Sequence, residues 1–191
     1  MNSGIDLNGF VESGQKREPS KGDGIYYYEA ASGILWVEAL IPNREKRLAT
    51  FLEVASLLGD MVSVELESRH FGGQEFVRHG ITIAQLGGIL NQHLPLVSHD
   101  PELRIIVREL FSVVDEPSVM LDQDKSIMIF SSDCEDCTTY KRFNDNLESL
   151  GLVDEYDNEF WRRFRDCRFP ESACSGFYDD FWALARDLEA I

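Results

Sequence analysis

Apolar and polar residues alternate or recur along this chain with periods that change every ten to fifteen residues. Ile25 to Ala31 and Ile34 to Leu40 are rich in Tyr, Ile, Val and Trp, with Ser32-Gly33 between them. That composition predicts two strands joined by a tight turn. Pro42-Asn43 ends the second strand. Asn43 then suits the N-cap of a helix over 44–58, because Leu48, Phe51, Leu52, Ala55 and Leu58 recur on one helical face and Gly59 closes it. From Met61 to Glu67 the period returns to two, which predicts a half-exposed strand, with residues 75–78 pairing to it. Thr82 is placed to cap a helix reaching His93, although Gly87-Gly88 costs about 1 kcal/mol per glycine relative to alanine. The pair either permits close packing or breaks the helix.

Asp100-Pro101 reads as a cap followed by proline at the first helical position, so a further helix is expected over 101–111. Ser118 to Leu121 and Ser126 to Phe130 form a second hairpin around Asp122-Gln123-Asp124-Lys125. A helix over 133–150 follows, with Tyr140, Phe143, Leu147 and Leu150 as its apolar stripe and Gly151 at its end. After Gly151 no convincing strand is legible. Two more helices are expected, over 158–167 and 175–190, the second carrying Phe177, Phe181, Leu184 and Leu188. Residues 1–24 lack periodicity and read as a disordered tail. The expectation is an α+β fold: a small antiparallel sheet of two hairpins plus one or two further strands, packed with helices, and a helical C-terminal third. Residues 25–191 would form a single domain, a size that supports one core and not two full ones.

Charge changes the functional picture more than composition does. The chain of 191 residues has 34 acids and 18 bases, a formal net charge of −16. Residues 1–95 hold 12 acids and 8 bases; residues 96–191 hold 22 acids and 10 bases. Such a field repels nucleic acid and anionic membranes and attracts cations and basic proteins. The plainer meaning of the same charge is solubility. No apolar run approaches the roughly 20 residues that span a bilayer, and residues 1–21 lack the apolar core of a signal peptide. A cytoplasmic protein is expected, with neither nucleic acid nor membrane as partner.

The four cysteines, Cys134, Cys137, Cys167 and Cys174, all lie in the last third. Cys134-Glu135-Asp136-Cys137 follows a strand and opens a helix. In that context it resembles the redox loop of the thioredoxin-like family, a likeness confined to about residues 125–150. The resemblance implies Cys134 as the attacking thiol and Cys137 as the resolving one, near helix amides that lower a thiol pKa. The surrounding Asp133, Glu135 and Asp136 act the other way. The family also needs two more strands and a cis-proline loop after the helix, which the pattern beyond Gly151 does not offer. The same four thiols could hold a structural zinc ion, one C-x-x-C supplying a knuckle and Cys167 and Cys174 the looser second pair. Their simplest role is as reduced cysteines, Cys137 and Cys167 falling at helical spacing from Tyr140 and Phe164. Asp122, Asp124, Ser126 and Asp133 have the spacing of a calcium loop, but Ile127 stands where that loop needs glycine, and a hairpin turn accounts for them. No metal-protease, phosphate-loop, dinucleotide or nucleophile-elbow motif is present, and no catalytic residue is assigned.

The C-terminal third interleaves aromatics with acids. Asp154, Glu155, Asp157, Glu159, Trp161, Tyr178, Asp179, Asp180 and Trp182 together form a candidate partner-binding set. Aromatic anchors supply holding energy and acids speed the encounter. The reading is a non-enzymatic binding protein for a basic partner, an inhibitor of the immunity or antitoxin kind. Alternatives are a zinc or thiol-redox protein and an acidic chaperone or adaptor.

Overall fold

The computed structural model describes residues 24–31, 34–68, 74–110, 117–131, 137–155, 157 and 177–190. Chain order runs β1 (Ile25–Ala31), β2 (Ile34–Leu40), α1 (Arg44–Ser56), β3 (Met61–Ser68), β4 (Gln74–Thr82), α2 (Ile83–Gln92), α3 (Leu94–His99) and β5 (Leu103–Glu109). It continues through β6 (Ser118–Leu121), β7 (Ile127–Ser131), α4 (Cys137–Ser149), β8 (Val153–Asp154) and α5 (Phe177–Glu189). All eight strands belong to one mixed sheet in the order β4-β3-β5-β6-β7-β2-β1-β8. Every pairing is antiparallel except β1 with β8.

The class is α+β, but the small sheet expected from the sequence is wrong. The reason is β5. Residues 103–109 form a strand, where a helix over 101–111 was expected. The alternation of Leu103, Ile105 and Val107, all buried, with Arg104 and Arg108 outweighs the cap signal. Asp100 makes a local turn instead of a helix start: its Oδ1 accepts from the Glu102 amide at 2.9 Å. Once β5 is a strand it pairs with β3 on one side and β6 on the other, and it fuses two hairpins into one sheet. The β2–β7 pairing then adds the first hairpin. Val153 and Asp154 are a strand that the pattern after Gly151 did not reveal. Two residues carry too little alternation to read, and their place is fixed by the Val153 and Glu155 amides donating to Gly24 O and Tyr26 O at 3.2 and 3.0 Å.

One face of the sheet carries the core. Tyr26, Val37, Val62, Val64, Leu66, Ile105, Val107, Val119, Leu121, Ile127 and Ile129 form a single cluster with Phe51, Leu86, Phe143, Phe181 and Leu184 from the helices. At about 25 cal/mol per Å² of buried apolar surface, this is the dominant stabilising term. Asn43 caps α1 through its side chain and Thr82 caps α2, as expected; Gln85 completes a capping box on α2 that the sequence reading did not include. The α4 stripe is realised in Phe143 and Leu147, and that of α5 in Phe181, Leu184 and Leu188. The hexapeptide α3 was not foreseen; it begins one residue beyond α2 with Pro95 in its first turn. The predicted helix over 158–167 lies outside the described residues, as does the tail up to residue 23.

The glycine pair in α2 resolves into two different roles. The helix runs through both. A Cβ on Gly87 would sit 3.1 Å from Leu52 Cδ1, so Gly87 lets α2 approach α1, whereas a Cβ on Gly88 would meet nothing within 4 Å. Gly88→Ala should therefore raise stability by about 0.5–1 kcal/mol, while Gly87→Ala should gain less or lose stability. Urea denaturation of the two variants checks this; equal gains would show that Leu52 yields freely.

Candidate functional site

Three polar assemblies stand out, and the structure separates them. The first is the N-terminal turn of α5. Phe181, Leu184 and Leu188 point the helix into the core, against α2, α3 and β4. His93 Nε2 meets Asp187 Oδ2 at 2.7 Å and ties the helix to the α2–α3 junction. With that stripe buried, Tyr178 is left 56% exposed, beside exposed Asp179 and Asp180. Acids in a first turn are also favoured by the helix dipole, so part of their role is local. Trp182 is different. It is partly buried against the core, its ring edge-on to Phe181 with centroids 5.4 Å apart.

Asp154, Glu155 and Asp157 do not share that surface. Asp154 ends β8, the edge strand beside β1, and Glu155 follows with its amide bonded to Tyr26 O. The helix α5 packs on β4, the strand at the other edge. Eight strands at about 4.8 Å spacing put roughly 30 Å between the two edges. The sequence-predicted set is thus split into two groups, while Glu159 and Trp161 lie outside the described residues. So do Cys134, Cys167 and Cys174. Among the described residues, Cys137 is the first residue of α4, the next element after β7.

The second assembly is charged and lies on the sheet face away from the helices. Carboxylate oxygens of Glu65, Glu67 and Glu75 come within 4.8 Å of one another across β3 and β4. Two of them have cations. Arg108 bonds Glu65, and Arg104 reaches Glu67 at 3.5 Å and Asp122 at 2.8 Å. These half-exposed pairs each contribute about 0–1 kcal/mol. Their signal in the sequence was the alternation of Glu65 and Glu67 with buried neighbours, matched by Arg104 and Arg108. It was hidden by reading β5 as a helix.

The third assembly is buried beneath α1. Arg47 of α1 is 2% exposed, Asp100 before β5 is 0% exposed and Lys125 in the β6–β7 turn is 5% exposed. Lys125 adopts a left-handed backbone, φ 63°, where glycine or asparagine is usual. Its amide donates to Asp122 O at 2.9 Å, and its Nζ donates to Leu103 O at 3.1 Å. Burial lowers the ammonium pKa to about 7; Asp100 opposes that shift and Arg47 adds to it. Burial, then Arg44, lowers Arg47 to about 10. His99 at the end of α3 is also lowered, chiefly by burial. Arg47 Nη2 and Ser126 Oγ are buried without a hydrogen-bond partner among the described residues. The sequence showed Lys125 only as a loop residue; nothing in a polar tetrapeptide marks which member turns inward.

Comparison with known protein families, curated proteins and solved structures finds no match. Among the described residues, no helix is long and apolar enough to cross a membrane.

Lys125 gives stability a definite pH dependence. Its folded pKa, about 7, lies below the unfolded value of 10.5. Between these values the unfolded chain binds more protons, so stability rises with pH. Lys125→Met should abolish a rise of roughly 2 kcal/mol between about pH 7 and about pH 9. Urea midpoints across that range test it; the same slope in both proteins would show that Lys125 is not the group responsible.

Proposed function

We propose that this chain is a non-enzymatic protein-binding module that holds a basic protein, as an inhibitor of the immunity or antitoxin kind does. The contact centres on the N-terminal turn of α5. The observation that carries the reading is the exposed aromatic of that turn: Tyr178 stands out of a helix whose other face is core, flanked by Asp179 and Asp180. An anchor with an acidic border suits a cationic surface, the aromatic supplying holding energy and the carboxylates steering the encounter. The net charge of −16 extends that steering beyond contact distance. Asp154, Glu155 and Asp157, at the far edge of the sheet, contribute to the field and not to the same contact. Trp182, one turn further along α5, packs against the core.

The test begins with affinity capture from lysate by the wild type and by an Asp179→Lys/Asp180→Lys variant, followed by stopped-flow association with the protein retained. A basic protein should be retained by the wild type only. Its association rate should fall at least about tenfold between about 50 and about 300 mM salt, while Tyr178→Ala should mainly speed dissociation. Equal retention by wild type and variant, or a salt-independent association rate, overturns the reading.

A further inference from the structure

The sheet ends at β4, and that edge is built to meet itself. β4 is nine residues long and, among the described residues, pairs with β3 alone. Gly80, at φ 74°, and the register shift opposite it between Val62 and Ser63 end the regular stretch, leaving residues 74–79 as an even edge. The outward N–H and C=O groups of such an edge are a template for another strand.

Its side chains specify which strand. Glu75, Val77 and His79 lie on the face away from the helices, in register with Glu67, Glu65 and Ser63. All three are exposed, and Val77, 47% exposed, is one of the large apolar residues left open to solvent. Among the described residues, Glu75 is the member of the Glu65–Glu67–Glu75 group with no cation: Arg108 and Arg104 serve the other two. His79 Nδ1 is 2.9 Å from Ser63 Oγ. With the Ser63 hydroxyl donating, the ring proton sits on Nε2, which is then a donor for a neighbour. On the opposite face of the strand, Arg78 Nε is buried without a hydrogen-bond partner among the described residues, and Phe76 packs on the edge of the core.

We infer that β4 pairs antiparallel with β4 of a second copy of this chain, about a two-fold axis normal to the sheet at Val77. The axis keeps both helical layers on the same side, so opposed residues share a face. Val77 then faces Val77, Glu75 faces His79 of the second copy, and Phe76 faces Arg78 of the second copy. Each acid gains a donor, each guanidinium an aromatic face, and the exposed valines cover one another. A register shifted by two residues in either direction brings Glu75 opposite Val77 or Ile81 and loses both polar pairs. The result is a continuous sixteen-stranded sheet, built from two copies of eight. This inference stands independently of what α5 binds.

Sedimentation velocity of the full chain from about 1 to about 200 µM is the test, with circular dichroism confirming that each variant is folded. The wild type should dimerise. Val77→Lys should weaken the dimer by at least about tenfold, and so should His79→Glu, which opposes two carboxylates. The double variant Glu75→His/His79→Glu restores the pair in exchanged order and should recover affinity to within about threefold. In the wild type, amide exchange of residues 74–79 should slow as concentration rises. A wild type monomeric throughout that range, a dimer indifferent to Val77→Lys and His79→Glu, or a double variant no better than His79→Glu would each overturn the inference.

Discussion

The sheet depends on the pairing of seven residues, Leu103–Glu109, with strands on both sides. β5 meets three demands at once. Leu103, Ile105 and Val107 enter the core, Arg104 and Arg108 neutralise the acids of β3 on the far face, and the backbone bonds to β3 and β6. Without it, β3–β4 and β6–β7 would be separate hairpins, each too small to hold an apolar face out of water. The helices have no surface to pack on until that fusion occurs, because their buried residues meet both halves in one cluster.

Much of the local structure was legible in the sequence. Both tight hairpins, the Asn43 and Thr82 caps and the stripe of α5 follow from side-chain period and capping chemistry, which act over a few residues. What was hidden depends on contacts between distant residues. Asp100-Pro101 has the form of a helix start, and the pairing of residues 103–109 with β3 and β6 adds to their alternation in deciding for a strand. Val153-Asp154 has no pattern of its own and is a strand because β1 is beside it. The candidate site was legible in part for the same reason. Tyr178, Asp179 and Asp180 are neighbours on one turn and remain together. Asp154 and Glu155 are near them in number and at the other edge of the sheet in space.

Charge in this protein divides between surface and interior. Among the described residues, most carboxylates are at least partly exposed, where hydration keeps the cost of each charge low. The buried charged groups among the described residues are Glu38 and, under α1, Arg47 and Lys125 with Asp100. A buried cation costs far more than a surface one, and the lowered pKa of Lys125 reflects that cost. The bond to Leu103 O is the local compensation, and it fixes where the β6–β7 hairpin meets the start of β5.

The contact between β2 and β7 has a kinetic meaning. Glu38 and Met128 are register partners, although three helices and four strands lie between them in the chain. Closing so long a loop costs roughly 4 kcal/mol of chain entropy, which must be spent before the pairing returns anything. Proteins whose sheets close over such separations fold slowly for their length. Until β2 meets β7, both strands are open edges, and the newly made chain is at its most adhesive just before it becomes one sheet.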